Sequence, residues 1–131
     1  FPNPAKLKKS KKGKYIGKPE LIKKMIKFFN IKNINIINDD IMNLEKYSKK
    51  FKNISFIYID CNVYKPVIKI LETLDNKILK GGIIAFDEAQ NSHNKDENRA
   101  MTEFLGRRKR KYKLIKLKKN YQPDAILIKK N

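Results

Sequence analysis

With 131 residues the chain is long enough for one domain with a real core, and its 40% hydrophobic content excludes a disordered polymer although 34% of residues are charged. Lys and Arg outnumber acids 32 to 13, a formal net charge of +19, but the Lys residues are spread along nearly the whole chain among many Ile and Asn. That joint bias is what AT-rich coding produces, and it argues against a dedicated nucleic-acid binder, whose charge would cluster. A lone Cys61 excludes an intramolecular disulfide and points to the cytoplasm. No apolar run nears the ~20 residues of a membrane span, and the basic N-terminus lacks the apolar segment of a signal peptide.

In chain order, residues 1–18 are Lys-rich with Pro and Gly and read as loop, the rest of 1–131 as a single domain. An opening on Phe1-Pro-Asn-Pro4, without Met, reads as an excerpt of something longer. Pro19 suits the first turn of a helix; Leu21, Ile22, Met25, Ile26, Phe28 and Phe29 form its stripe, and Asn30 ends it. Ile34–Ile37 predicts a short strand, and Asn43–Lys50 a short helix with Leu44, Tyr47 and Phe51 inward. Ile54–Ile59 is a strong strand that stops at Asp60. A helix follows from Lys65 to about Ile78, with Val67, Ile70, Leu71, Leu74 and Ile78 on one face. Gly81-Gly82 then makes the turn into a second strong strand, Ile83–Phe86, which stops at Asp87-Glu88. Residues 89–95 are a polar loop, and Asp96–Leu105 a helix burying Ala100, Met101, Phe104 and Leu105, with Gly106 as its C-cap. Tyr112–Leu117 and Asp124–Ile128 form a terminal hairpin around Asn120-Tyr-Gln-Pro123.

The two strong strands with a helix between them read as a β-α-β unit. Their carboxyl ends bring Asp60, Asp87 and Glu88 to one sheet edge, the edge at which open α/β sheets bind ligands. Three acids at one point repel unless a cation or a proton sits among them.

Three separated motifs agree in order and spacing: Tyr58-Ile-Asp60-Cys-Asn-Val-Tyr64-Lys-Pro66, Leu79-Lys-Gly81-Gly-Ile-Ile-Ala-Phe-Asp87-Glu88 and Ala100-Met-Thr-Glu103-Phe104. Together they resemble the macrocin O-methyltransferase family of class I S-adenosylmethionine-dependent enzymes, across about residues 18–130. The resemblance implies a Rossmann-like α/β methyltransferase sheet ending in an antiparallel hairpin, and methylation of a hydroxyl on a sugar or glycosylated small molecule. It implies a magnesium or other divalent ion held by Asp60, Asp87 and Glu88; carboxylate oxygens suit such an ion. The ion would lower the pKa of the acceptor hydroxyl, with Asp60 as general base. Asp40 matches the acid that lies near the adenine of S-adenosylmethionine, with Asp39, Ile41 and Cys61 as weaker cofactor contacts. Tyr64 near the mouth and His93 in the polar loop are the substrate-side candidates; the plainer readings are a packing residue for Tyr64 and a solvated one for His93.

Departures from the family pattern are Asn62, where it has a second acid, and Val67, where it has a threonine. No strand followed by a Gly-rich turn precedes Pro19, so the first two strands of the domain are missing and the chain matches its C-terminal portion. One edge of Ile54–Ile59 is then open and invites pairing. An upstream segment, a second copy or another partner would cover it, unless the chain is a degraded copy of the enzyme. The alternative function is a basic α/β module without catalysis that binds polyanions or a protein, centred on Arg107-Arg-Lys-Arg-Lys111. The simpler account of that run is a solvated helix end, where cations favour the C-terminal dipole.

Overall fold

The structure is a computed structural model that describes residues 18–90, 95–118 and 121–130. The chain divides into two compact units, Phe1–Asn38 and Asp39–Asn131.

In the first unit, helix α1 spans Pro19–Phe28, with Pro in its first turn, Glu20 near its N-terminus and Lys27 in its last turn, each favourable to the helix dipole. Asn30 adopts the left-handed region (φ 51°), and the Ile31 N–H reaches back to the Ile26 carbonyl at 2.9 Å, closing the helix as the sequence leads one to expect. The expected strand at Ile34–Ile37 does not form. A strand is stable only on a ladder, and no described strand offers these residues a partner.

In the second unit, a 3-10 turn at Ile41–Asn43 leads into a short helix α2, Glu45–Ser48. Strand β1 is Ile54–Ile59, helix α3 Tyr64–Leu74, strand β2 Ile78–Phe86, helix α4 Lys95–Arg108, strand β3 Tyr112–Lys116 and strand β4 Ala125–Lys129. The sheet order is β1-β2-β4-β3: β1 and β2 are parallel, and β4 is antiparallel to both β2 and β3. This is the Rossmann-like α/β arrangement with a terminal hairpin that the sequence predicts. β1 pairs only with β2, so its other edge is open among the described residues.

Val67, Ile70, Leu71 and Leu74 give α3 its buried face; Ala100, Met101 and Phe104 do so for α4. They pack with Ile59, Ile84, Phe86, Leu127 and Tyr112 from the sheet into one core. The opposite sheet face carries Phe56 and Tyr58, 57% and 45% exposed, with ring centroids 6.4 Å apart.

Element boundaries differ from expectation, three of them in ways that matter to packing. Ile78 belongs to β2, because a 3-10 turn at Asp75–Lys77 ends α3 early. Gly81 and Gly82 lie inside β2: Ile54 opposes Ile78 and Phe56 opposes Ile83, so β2 bulges there. Gly81 has φ 79°, and a Cβ on Gly82 would stand 2.9 Å from the Leu79 carbonyl oxygen and 3.1 Å from that of Ile54. Gly106 does not cap α4, which continues to Arg108. Arg107 and Arg108 reward the extra turn with ion pairs to Glu72, Glu103 and Asp75. No described helix is long and apolar enough to cross a membrane.

Candidate functional site

The edge where β1 and β2 end is the chemical focus. Ile59 and Phe86 are register partners, and the Asp87 N–H donates to the Ile59 carbonyl at 3.0 Å. Asp60 and Asp87 are therefore the next residues on two adjacent parallel strands, as the sequence predicts. Neutral donors engage both side chains. The Tyr58 hydroxyl donates to Asp87 Oδ1, Gln122 Nε2 donates to Asp87 Oδ2 at 2.7 Å, and Asn62 Nδ2 lies 3.3 Å from Asp60 Oδ1. Gln122 Nε2 also lies 3.5 Å from Glu88 Oε1. The hydrogen bond to Asp87, aided by the charges of Asp87 and Asp60, pushes the Tyr58 phenol up to about 12.

This arrangement does not fit the magnesium ion that the resemblance implies. Among the described residues no group of three or more His, Cys, Asp or Glu side chains is placed to hold a metal. A hard cation needs several oxygens converging on one point, whereas both Asp87 oxygens are turned to Tyr58 and Gln122. The mutual repulsion of the acids is relieved by hydrogen-bond donors instead.

Beneath the edge lie two buried carboxylates that the sequence reading passed over. Glu97, on the first turn of α4, is fully buried, and its Oε1 accepts the Glu88 N–H at 3.3 Å. Burial pushes its pKa up to about 7, helped by the charges of Asp87 and Asp124 and opposed by the Glu88 and Asn62 backbone N–H groups. Asp124 is buried at the base of β4; its Oδ2 accepts the Gln90 N–H at 2.6 Å, and its own N–H donates to the Phe86 carbonyl at 3.1 Å. The sequence did hold a signal for Glu97: with Ala100, Met101 and Phe104 it completes the i, i+3, i+4, i+7 apolar stripe of α4.

The expected cofactor residues lie in the same unit. Asp40 caps the 3-10 turn, its Oδ1 accepting the Met42 N–H at 2.9 Å. Asp39 is held by the chain itself, through the Tyr47 hydroxyl (2.6 Å), Asn43 Nδ2 (2.8 Å) and the Asp40 N–H (2.7 Å). Those bonds, that of Tyr47 foremost, lower its pKa to about 2. Ile41 and Cys61 are half-buried against the core, and burial raises the Cys61 thiol, which keeps it protonated. The Tyr64 hydroxyl, expected at the substrate, donates to Glu103 Oε2 at 2.6 Å, and the Arg99 guanidinium stacks 4.4 Å from its ring. His93 lies outside the described residues.

The basic run at the end of α4 is partly spent inside the fold. Arg107 pairs with Glu72 at 2.8 Å and Arg108 Nε with the buried Asp75 at 2.6 Å, where the Tyr112 hydroxyl and Lys129 also converge.

No protein-family model and no curated protein matches the chain. Solved structures do. CalS11, a TDP-rhamnose 3'-O-methyltransferase of calicheamicin biosynthesis, is similar with a TM-score of 0.68 and 23% identity, over 90% of this chain and 55% of that one. A second CalS11 structure gives 0.67 and 24%, over 85% and 46%. Fibrillarin of Aeropyrum pernix, with natively bound S-adenosyl-L-methionine, gives 0.53 and 13%, over 85% and 51%. The chain thus shares the fold of these structures and spans about half the length of each.

Proposed function

We propose that this chain is the acid-bearing part of an S-adenosylmethionine-dependent O-methyltransferase whose acceptor is a hydroxyl, on a sugar or a glycosylated small molecule. The observation that carries this reading is the pairing of Asp60 with Asp87-Glu88 on adjacent parallel strand ends, in a sheet whose similar structures include a sugar O-methyltransferase. An anionic edge suits a cationic sulfonium and a hydroxyl that must lose a proton. S-adenosylmethionine, when bound, supplies a methyl group on positively charged sulfur, and the Asp40-capped turn with Ile41 and Cys61 offers it a surface.

In this reading Asp60 does the proton chemistry. It is exposed, and the contact that reaches it from Asn62 is long, so it is available to take the acceptor's proton as the oxygen attacks. Asp87 is held rigid by Tyr58 and Gln122 and serves orientation: its negative charge is placed before any ligand arrives. Proximity of the reacting groups then supplies much of the rate.

The test is methyl transfer from radiolabelled S-adenosylmethionine to a panel of nucleotide sugars and glycosides, with the chain in its full natural polypeptide. The expected result is labelled product, reduced about 100-fold by Asp60→Asn, the usual scale of general-base loss, with cofactor affinity retained. Transfer that is unaffected by Asp60→Asn, or no cofactor binding at all, overturns the reading.

A further inference from the structure

Asp87 follows β2, and the strands on either side of β2 each bring it a neutral donor. On one side lies β1, where Tyr58 opposes Ala85 and its hydroxyl donates to Asp87 Oδ1. On the other lies β4. Ala125 opposes Phe86, and the Asp124 N–H donates to the Phe86 carbonyl at 3.1 Å, so the hairpin loop before β4 passes beside Asp87. Gln122 in that loop donates to Asp87 Oδ2 at 2.7 Å and lies 3.5 Å from Glu88 Oε1. Both ends of the loop are held by Gln90: its Nε2 donates to the Leu117 carbonyl at 2.9 Å, and its N–H donates to Asp124 Oδ2 at 2.6 Å. Strand pairing and Gln90 together bring two donors to one carboxylate. A departure in the sequence has the same sense. Asn62 stands where the family pattern has an acid, and its amide nitrogen lies 3.3 Å from Asp60 Oδ1. A magnesium-like ion asks for about six oxygens at about 2.1 Å. At this edge it would meet one carboxylate fewer, and it would have to displace two hydrogen bonds that end on a charged acceptor.

We propose that Tyr58 and Gln122 stand in for a divalent cation: their neutral donors occupy both oxygens of Asp87, and the edge holds its acids together, and works, without a metal ion. The ground is the donor set of this chain. As a statement about catalysis the proposal rests on the reading of that edge as the reacting site. As a statement about what keeps an ion out, it does not, and that part is tested apart from methyl transfer.

Manganous chloride is the probe, because manganese takes the same oxygen ligands as magnesium and broadens the NMR signals of nearby amides. In the unaltered chain, stoichiometric manganese leaves the Asp60, Asp87 and Glu88 amides as sharp as those of Leu71 and Leu127 in the core. The double variant Tyr58→Phe/Gln122→Glu removes both donors and supplies a carboxylate. It binds manganese at least about 100-fold more tightly, the scale of two hydrogen bonds to a charged acceptor, and the three edge amides broaden first. Selective broadening of those amides in the unaltered chain overturns the proposal without any variant. So does a folded double variant that gains no manganese binding, since Tyr58 and Gln122 are then not what keeps the ion out. Gln122→Glu alone changes an exposed loop residue; it gains about tenfold and serves if the double variant fails to fold, and no gain there overturns the proposal too. In the full natural polypeptide, methyl transfer proceeds equally with magnesium and with a chelator. Transfer that the chelator abolishes overturns the proposal. No transfer under either condition removes the proposed function and leaves the manganese result standing.

Discussion

Asp75 and Glu97 are both buried acids, yet their surroundings move them in opposite directions. Burial would raise Asp75, but bonds from Arg108 and Tyr112 and the charges of Arg108 and Lys129 outweigh it and hold the carboxyl below its ordinary range. A lowered folded pKa adds stability that is present above the unfolded value and lost as pH falls through the folded one. Glu97 is raised from 4.5 to about 7, so its contribution is full below 4.5 and lost as pH rises to about 7. Thermal melts of the chain and of Glu97→Gln across this window should diverge, the variant gaining on the parent as pH rises. Parallel curves would show that Glu97 is not raised. At neutral pH, Arg108→Ala should cost about 1–3 kcal/mol by leaving the buried Asp75 short of its charged donor. A cost near zero by denaturant titration would mean that Tyr112 and Lys129 suffice.

Among the elements, β2 and α4 show how one residue type can be required in one place and incidental in another. Gly82 sits where β2 bulges past β1, with Ile78 Cγ2, the Leu79 carbonyl oxygen and the Ile54 carbonyl oxygen 2.6, 2.9 and 3.1 Å from a would-be Cβ. Gly82→Ala should destabilise by about 1–3 kcal/mol through overpacking and disturb the β1–β2 register. Gly106 lies inside α4 with nothing within 4 Å of a would-be Cβ. Gly106→Ala should stabilise by about 1 kcal/mol, the helix-propensity difference. Urea titration of the two variants checks both signs, and a stabilised Gly82→Ala would refute the bulge.

For the molecule as a whole, the excess of cations is the main electrostatic fact. Net charge of +19 repels itself in the folded state. Raising salt from about 0.01 M to about 0.1 M shortens the Debye length from about 30 Å to about 10 Å. The melting temperature should therefore rise over that interval, although exposed pairs such as Arg107–Glu72 are weakened. A melting temperature that falls would mean that the ion pairs outweigh the repulsion. Arg107 and Arg108 spend their charge on acids of the fold, whereas Lys109, Arg110 and Lys111 of the same run remain exposed.

The chain by itself determined the β-α-β unit, the terminal hairpin and the placing of Asp60 and Asp87 at one edge. Those features depend on local pattern: an apolar run ending in acid makes a strand with its acid at the mouth, and the 3.6-residue stripe of Val67, Ile70, Leu71 and Leu74 makes a helix face. Only the tertiary structure decided how the acids are satisfied. Tyr58 and Gln122 lie far from each other in the chain and meet on Asp87; the buried Glu97 accepts the Glu88 N–H; Asp39, at the surface, accepts the Tyr47 hydroxyl. The same holds for the glycines, because whether Gly81-Gly82 turns or bulges depends on the length of the neighbouring strand. Periodicity specifies which face of an element is apolar. Which polar atom meets which across that element follows from packing geometry, in which a displacement of one ångström makes or breaks a hydrogen bond.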